Sequence, residues 1–259
     1  MRSLLWIVVL TVLVVGLLIP GLYFRAAYKL PTLETVYDLD KLLRPSIEGE
    51  RRSYAAGLSE KMDPARERYE RPDFGRLPKE LVALYTTEMG CPTFFQTPRE
   101  EGVRWGWRLI SAMLFNRQPE GDGWCERTLA YRIASALNVT GALERAVAAH
   151  KLHRFLQKDQ LVAYDLASVR VGKRGVVGVD DISYVLFDKR RPDELNLAEL
   201  AELSLALPPH RYFETIQTCS NPSLIRRARD KLIGRLARVS LIPTERMRAA
   251  QALPVSCAQ

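Results

Sequence analysis

Residues 195–209 read LNLAELAELSLALPP, and this stretch decides the fold class. Its leucines and alanines recur at i, i+3 and i+4, the period of a helix with one apolar side. Asn196 stands immediately before LAELAEL, where a side-chain oxygen caps the first backbone N–H groups. Outward from it the same period recurs in LPKELVALYTTEM (77–89), VRWGWRLISAMLF (103–115), RTLAYRIASALN (127–138), ALERAVAAHKLHRFLQKDQLVAYDLASV (142–169), SLIRRARDKLIGRLARV (223–239) and PTERMRAAQAL (243–253). Pro78 suits a first turn, and Thr244 lies just ahead of Glu245. VRVGKRGVVGV (169–179) is glycine-rich and β-branched, which predicts a loop or brief hairpin. Strands do not alternate with helices, which favours a mostly α class over a doubly wound sheet. No internal repeat or low-complexity tract is present.

The chain has 259 residues, 47% hydrophobic and 26% charged, which excludes wholesale disorder. Its 38 basic and 30 acidic side chains leave a net charge of +8, with a pI near 9.4. That suits an anionic partner: a phospholipid surface, a lipid-linked pyrophosphate or nucleic acid. The mean hydropathy of −0.12 excludes a polytopic membrane protein. Leu4 to Phe24 carries no charge and runs for about twenty residues, enough to span a bilayer. Trp6 and Tyr23 suit the two interfaces, and Arg25 and Lys29 stop the segment. Residues 1–25 are therefore expected to be an uncleaved anchor. A cleaved signal peptide is the competing reading, but the run is long for one and no small-x-small site follows. Charge does not fix the orientation. Residues 26–76 are dense in alternating charges and predict a stalk with some helix and a weak stop at Pro64. Residues 77–259 form the main domain.

Familiar chemical motifs are mostly missing. VGKRGVVG lacks the spacing of a phosphate-cradling loop, and no G-x-S-x-G elbow occurs. His150 and His153 lie one helical turn apart, but no carboxylate or cysteine stands at ligand spacing, so a solvated basic face with Lys151 and Arg154 is expected. His210 is a loop residue with no evident partner. Arg226, Arg227, Arg229, Lys231, Arg235 and Arg238 lie on a helix whose Leu224, Ile225, Leu232 and Leu236 should be buried. The arginines read as a solvated face. The run lacks the aromatic interleaving of an extended nucleic-acid site, so no nucleic-acid partner is expected.

Seven pieces in order are LPKELVALYTTEMG, a hydrophobic segment, GDGWCERTLAYRIASAL, KDQLVAYDLASVRVG, YVLFDK, LNLAELAELSLALPPHRYF and LIPTERMRAAQALP. Their order and spacing resemble the peptidoglycan glycosyltransferase domain, the transglycosylase module of penicillin-binding proteins. An anchor plus one such domain looks like the monofunctional biosynthetic transglycosylase. The resemblance covers roughly Leu77 to Pro254. It implies a lysozyme-like helical lobe with a smaller membrane-associated lobe, on the periplasmic side of a bacterial inner membrane.

It also implies site residues. Glu88 matches the family's first catalytic glutamate, the base for the acceptor hydroxyl, a role that calls for burial near apolar groups. The plain alternative is an exposed carboxylate near a helix end. Met89 replaces the family's aspartate and removes a ligand for the divalent cation that the family can hold; no cofactor is otherwise implied. GDGWCERTLAYR stands where the family has Gly-Gly-Ser-Thr-Ile-Thr-Gln-Gln-Leu-Ala-Lys-Asn, keeping Gly121, Leu129 and Ala130. Arg127 and Arg132 are its candidate pyrophosphate ligands, and Lys158 opens the next matched stretch as a third substrate-binding candidate. The second catalytic glutamate falls on Arg145, with Glu144 one position away and about 100° around a helix. Asp165-Leu166-Ala167 replaces the family's Tyr-Leu-Asn.

Two functions follow from the resemblance. One is a degenerate glycosyltransferase that binds lipid II, a nascent glycan strand or a cell-wall synthesis partner; the other is an active lipid II polymerase with Glu88 as base. A lysozyme-like hydrolase is a third class, which Glu88 alone would serve. Trp105, Trp107 and Phe115, flanked by Arg104 and Arg108, are expected to touch the membrane. Four cysteines allow three pairings, and spacing does not rank them. The resembled fold implies Cys91 with Cys125 and Cys219 with Cys257.

Overall fold

The computed structural model describes residues 6, 20–57, 68–99, 123–172, 175–188, 190–209 and 212–258. They form eleven α-helices and one short hairpin, so the protein is mostly helical. The helices are α1 (20–29), α2 (Val36–Gly57), α3 (Lys79–Glu88), α4 (Gly123–Ala136), α5 (Ala142–Phe155), α6 (Lys158–Ser168), α7 (Val179–Leu186), α8 (Leu197–Ala206), α9 (Phe213–Gln217), α10 (Pro222–Arg238) and α11 (Thr244–Ala252).

Helix α8 is central, and all ten of its residues are buried. Asn196 caps it, accepting from the N–H groups of Ala198 and Glu199 at 2.9 and 3.1 Å, while Glu199 Oε2 accepts from Asn196 N–H at 2.9 Å. A helix buried all round must have its charges answered. Glu199 pairs with Arg190 at 2.5 Å and Glu202 with Arg229 at 3.2 Å. Helices α3 and α10 pack against α8 and against each other.

Arg229 departs from the expected solvated face: its side chain is fully buried, while Arg226 and Arg235 on the same helix stay open. It donates to Glu202 and to the carbonyls of Leu253 and Pro254 at 2.9 and 3.0 Å. A buried carboxylate needs a cation, and the carbonyls that follow α11 need donors. One guanidinium, with its forked donors, meets both demands. The Cys219–Cys257 bridge, Cα atoms 5.4 Å apart, ties down the same tail and matches the expected pairing.

The long periodic stretch 142–169 is two helices, α5 and α6, broken at Leu156 and Gln157, where Gln157 N–H donates to Gln160 Oε1 at 2.9 Å. The expected hairpin forms between β1 (Arg170–Val171) and β2 (Val176–Val177), antiparallel, with Arg170 opposite Val177. Gly172 turns it at φ +72°, where a Cβ would also meet the Phe213 ring at 2.7 Å.

Segment 26–76 is not a stalk apart from the domain. Leu39, Leu43 and Ile47 on α2 are buried in the common core, as are Leu33, Tyr54 and Tyr69. Asp40, on that helix, accepts from Tyr69 Oη at 2.7 Å, Tyr164 Oη at 2.6 Å and Arg71 Nε at 2.6 Å. Its abundant charge hid a four-residue apolar spacing that docks α2. Tyr23 on α1 reaches His150 on α5, Oη to Nδ1 3.1 Å. Most of Leu4–Phe24, together with Pro64 and His210, lies outside the described residues. Among the described residues no helix is long and apolar enough to cross a membrane.

Candidate functional site

The sequence-predicted residues gather around the α4–α5 hairpin. Glu88 is the last residue of α3, and Cys91 N–H returns to Thr86 O at 2.9 Å in the turn that follows. Its side chain is only 6% exposed and lies 3.8 Å from Arg235 Nη1, so it is no solvent-facing carboxylate. Met89 is half-buried against the core. The Cys91–Cys125 bridge, Cα atoms 6.5 Å apart, fastens this turn to the start of α4, again in the expected pairing.

Next to Cys125 stands Glu126, which is buried. Its carboxylate lies 2.7 Å from His153 Nε2, 3.2 Å from Lys158 Nζ and 3.8 Å from Arg99 Nε. Burial would raise the Glu126 carboxyl, but hydrogen bonds from His153 and Lys158 hold it below its ordinary value. His153 is therefore not on a solvated face; it is buried and answers a carboxylate 27 positions upstream. His150 is held down as a base, first by burial and then by Arg154 and His153.

Lys158 also donates to Phe94 O at 2.5 Å, Thr97 O at 2.7 Å and Thr97 Oγ1 at 3.1 Å. An ammonium has three donors, and these partners absorb them. Lys158 clips segment 94–97 to α4.

Arg132 is likewise engaged. Its Nε lies 3.1 Å from Asp165 Oδ1, its Nη1 donates to Pro208 O at 3.4 Å, and its guanidinium sits 5.7 Å from the centre of the Tyr85 ring. Tyr85 Oη donates to Asp165 Oδ2. Burial pushes the Asp165 carboxyl up, while Arg132 and Tyr85 pull it down; burial also raises the Tyr85 phenol. Arg127 is buried on α4.

Glu144 lies in the first turn of α5, its carboxylate folded over Gly141, where it favours the positive end of the helix dipole. Arg145, one position on, lies 5.9 Å from the centre of the Tyr131 ring. Glu88 and Glu144 are not brought together. The Glu126–His153 contact places the start of α4 beside the end of α5, and the Cys91–Cys125 bridge puts Glu88 at that end. Glu144 is nine residues back along α5 from His153, about 13.5 Å of helix rise.

No protein-family model matches the chain. No curated protein matches it either. Among the described residues no group of three or more His, Cys, Asp or Glu is placed to hold a metal. Trp105, Trp107 and Phe115 lie outside the described residues.

Sequence reading passed over Glu126 and Asp40 and placed His153 on a solvated face. Each is an ionisable side chain inside an apolar helical run, which is the signal that marks a buried partner elsewhere.

Proposed function

We propose that the protein is a peptidoglycan glycosyltransferase-like component of cell-wall biogenesis, anchored in a bacterial inner membrane by Leu4–Phe24, with its helical, lysozyme-like domain in the periplasm. It binds a lipid-linked glycan, a nascent strand or a synthesis partner without polymerising glycan. The observation that carries this reading is the fate of the second acid: Arg145 stands at its position, and Glu144 lies far along α5 from Glu88. Support also comes from Lys158, whose ammonium is committed to Glu126 and to carbonyls, and from Arg132, whose Nε and Nη1 are committed to Asp165 and Pro208 O, which leaves a departing pyrophosphate less well served. Two disulfides suit an oxidising compartment. The burial of Glu88 favours the other reading, an active polymerase with Glu88 as base.

A lipid II extension assay on the full-length protein separates the two. The expected result is lipid II binding without strand growth, unchanged by Glu88→Gln. Strand growth that Glu88→Gln abolishes would establish the active reading instead.

A further inference from the structure

A cavity of about 300 Å³ opens well away from Glu88, between α2, segment 68–77, the second half of α6, the start of α7 and residues 191–193. Its volume is at the lower end of small-molecule sites. Leu77, Ala163, Leu166 and Val179 give it apolar surface, while the charged part of its lining comprises five arginines and five carboxylates. Such a balance does not suit a bare anion, which would meet as many carboxylates as guanidiniums. No aromatic ring lines it, so a sugar finds no stacking surface.

Most of these charges answer each other across the walls. Arg51 Nε lies 2.8 Å from Asp181 Oδ2, and its Nη1 donates to Arg68 O at 2.8 Å. Arg76 meets Glu70 at 3.2 Å and Arg191 meets Asp193 at 3.1 Å. Arg71 reaches through the wall to Asp40 at 2.6 Å. Two charges of opposite sign make no direct contact: among the described residues neither the Arg68 guanidinium nor the Asp180 carboxylate makes a hydrogen bond or ion pair, and both residues are exposed; partial burial raises the Asp180 carboxyl, and Arg191 and Arg51 act on it only through space.

We infer that this cavity binds a small zwitterion, an amino acid or a short peptide with free ammonium and carboxylate groups. Arg68 takes the carboxylate through its forked N–H donors, and Asp180 takes the ammonium. The site is independent of the glycan reading above.

The test titrates the dipeptide alanylalanine into the full-length protein in detergent micelles, followed by calorimetry and ligand-observed NMR. N-acetyl-alanylalanine and alanylalanine amide each lack one charge. The expected result is saturable binding that either modification weakens about tenfold, the loss of one charge-assisted contact. In Arg68→Gln the dipeptide and its amide should bind alike; in Asp180→Asn the dipeptide and its acetyl form should bind alike. Neither side chain makes a hydrogen bond or ion pair among the described residues, and Asp180→Asn keeps the size of a first-turn residue of α7, so the fold should survive both changes. Absence of saturable binding, equal affinity for all three peptides, or variants that keep the wild-type preference would each overturn the assignment.

Discussion

At the Cys125 end of the α4–α5 hairpin, Glu126, His153 and Lys158 are buried or nearly so, and they answer one another within 3.2 Å. At the Gly141 end, Glu144 is half-buried over its own helix terminus and Arg145 leans across a tyrosine ring. Both ends carry residue types that suit catalysis or ligand binding. The first end spends them on holding α4, α5, α6 and segment 94–97 together; the second leaves them near the surface, where they do little for stability. The types of side chain present therefore say less about chemistry than which of them already have partners.

Breaking the first end should have the largest effect. Glu126→Ala leaves His153, Lys158 and Arg99 facing a void, and removal of one partner from a buried charge cluster costs about 3–5 kcal/mol. Chemical denaturation measures it; a loss below about 1 kcal/mol would show that water already reaches the cluster. The pH response has a definite sign. The Glu126 carboxyl lies below its ordinary 4.5 in the folded chain, so its contribution is fully present above that value and fades as the pH falls through the lower folded one. Glu126→Gln should flatten this acid-side loss, read as the slope of stability against pH.

The Cys91–Cys125 bridge comes next. It closes a loop with a sequence separation of 34, and the double Cys→Ser variant should lose about 3–4 kcal/mol in the chain-entropy model. Thermal unfolding of the double variant under oxidising conditions isolates this bridge from Cys219–Cys257; an unchanged midpoint would contradict the assignment.

Glu144→Gln sharpens the contrast from the other side. It removes one helix-terminal charge from a half-exposed site, so stability should change by about 0.5 kcal/mol or less. A loss of 2 kcal/mol in denaturant would place Glu144 in a buried network and erase the difference between the two ends.

How much was legible in the sequence varies by kind of signal. Helical periodicity located α3, α4, α5, α6, α8, α10 and α11, and Asn196 marked the start of α8 to the residue. The break at Leu156 and Gln157 escaped because apolar spacing continues across it while the backbone turns extended. Segment 26–76 was misread because its charges outnumber its large apolar residues, although Leu39, Leu43 and Ile47 repeat every four positions. In the candidate site, His153 was visible but its partner Glu126 was not, and Arg229 was read with its exposed neighbours.

Local composition and period determined that this chain is helical, where many of its described helices run and that residues 169–179 break the helical pattern, because those depend on residues a few positions apart. Only the tertiary structure decided which charges are spent inside the fold. Burial and pairing join residues 27 positions apart at Glu126 and His153, 27 at Glu202 and Arg229, and 124 at Asp40 and Tyr164. A charged side chain reads the same in sequence whether it faces water or a partner, and the difference is made by desolvation, which exists only once the helices have packed.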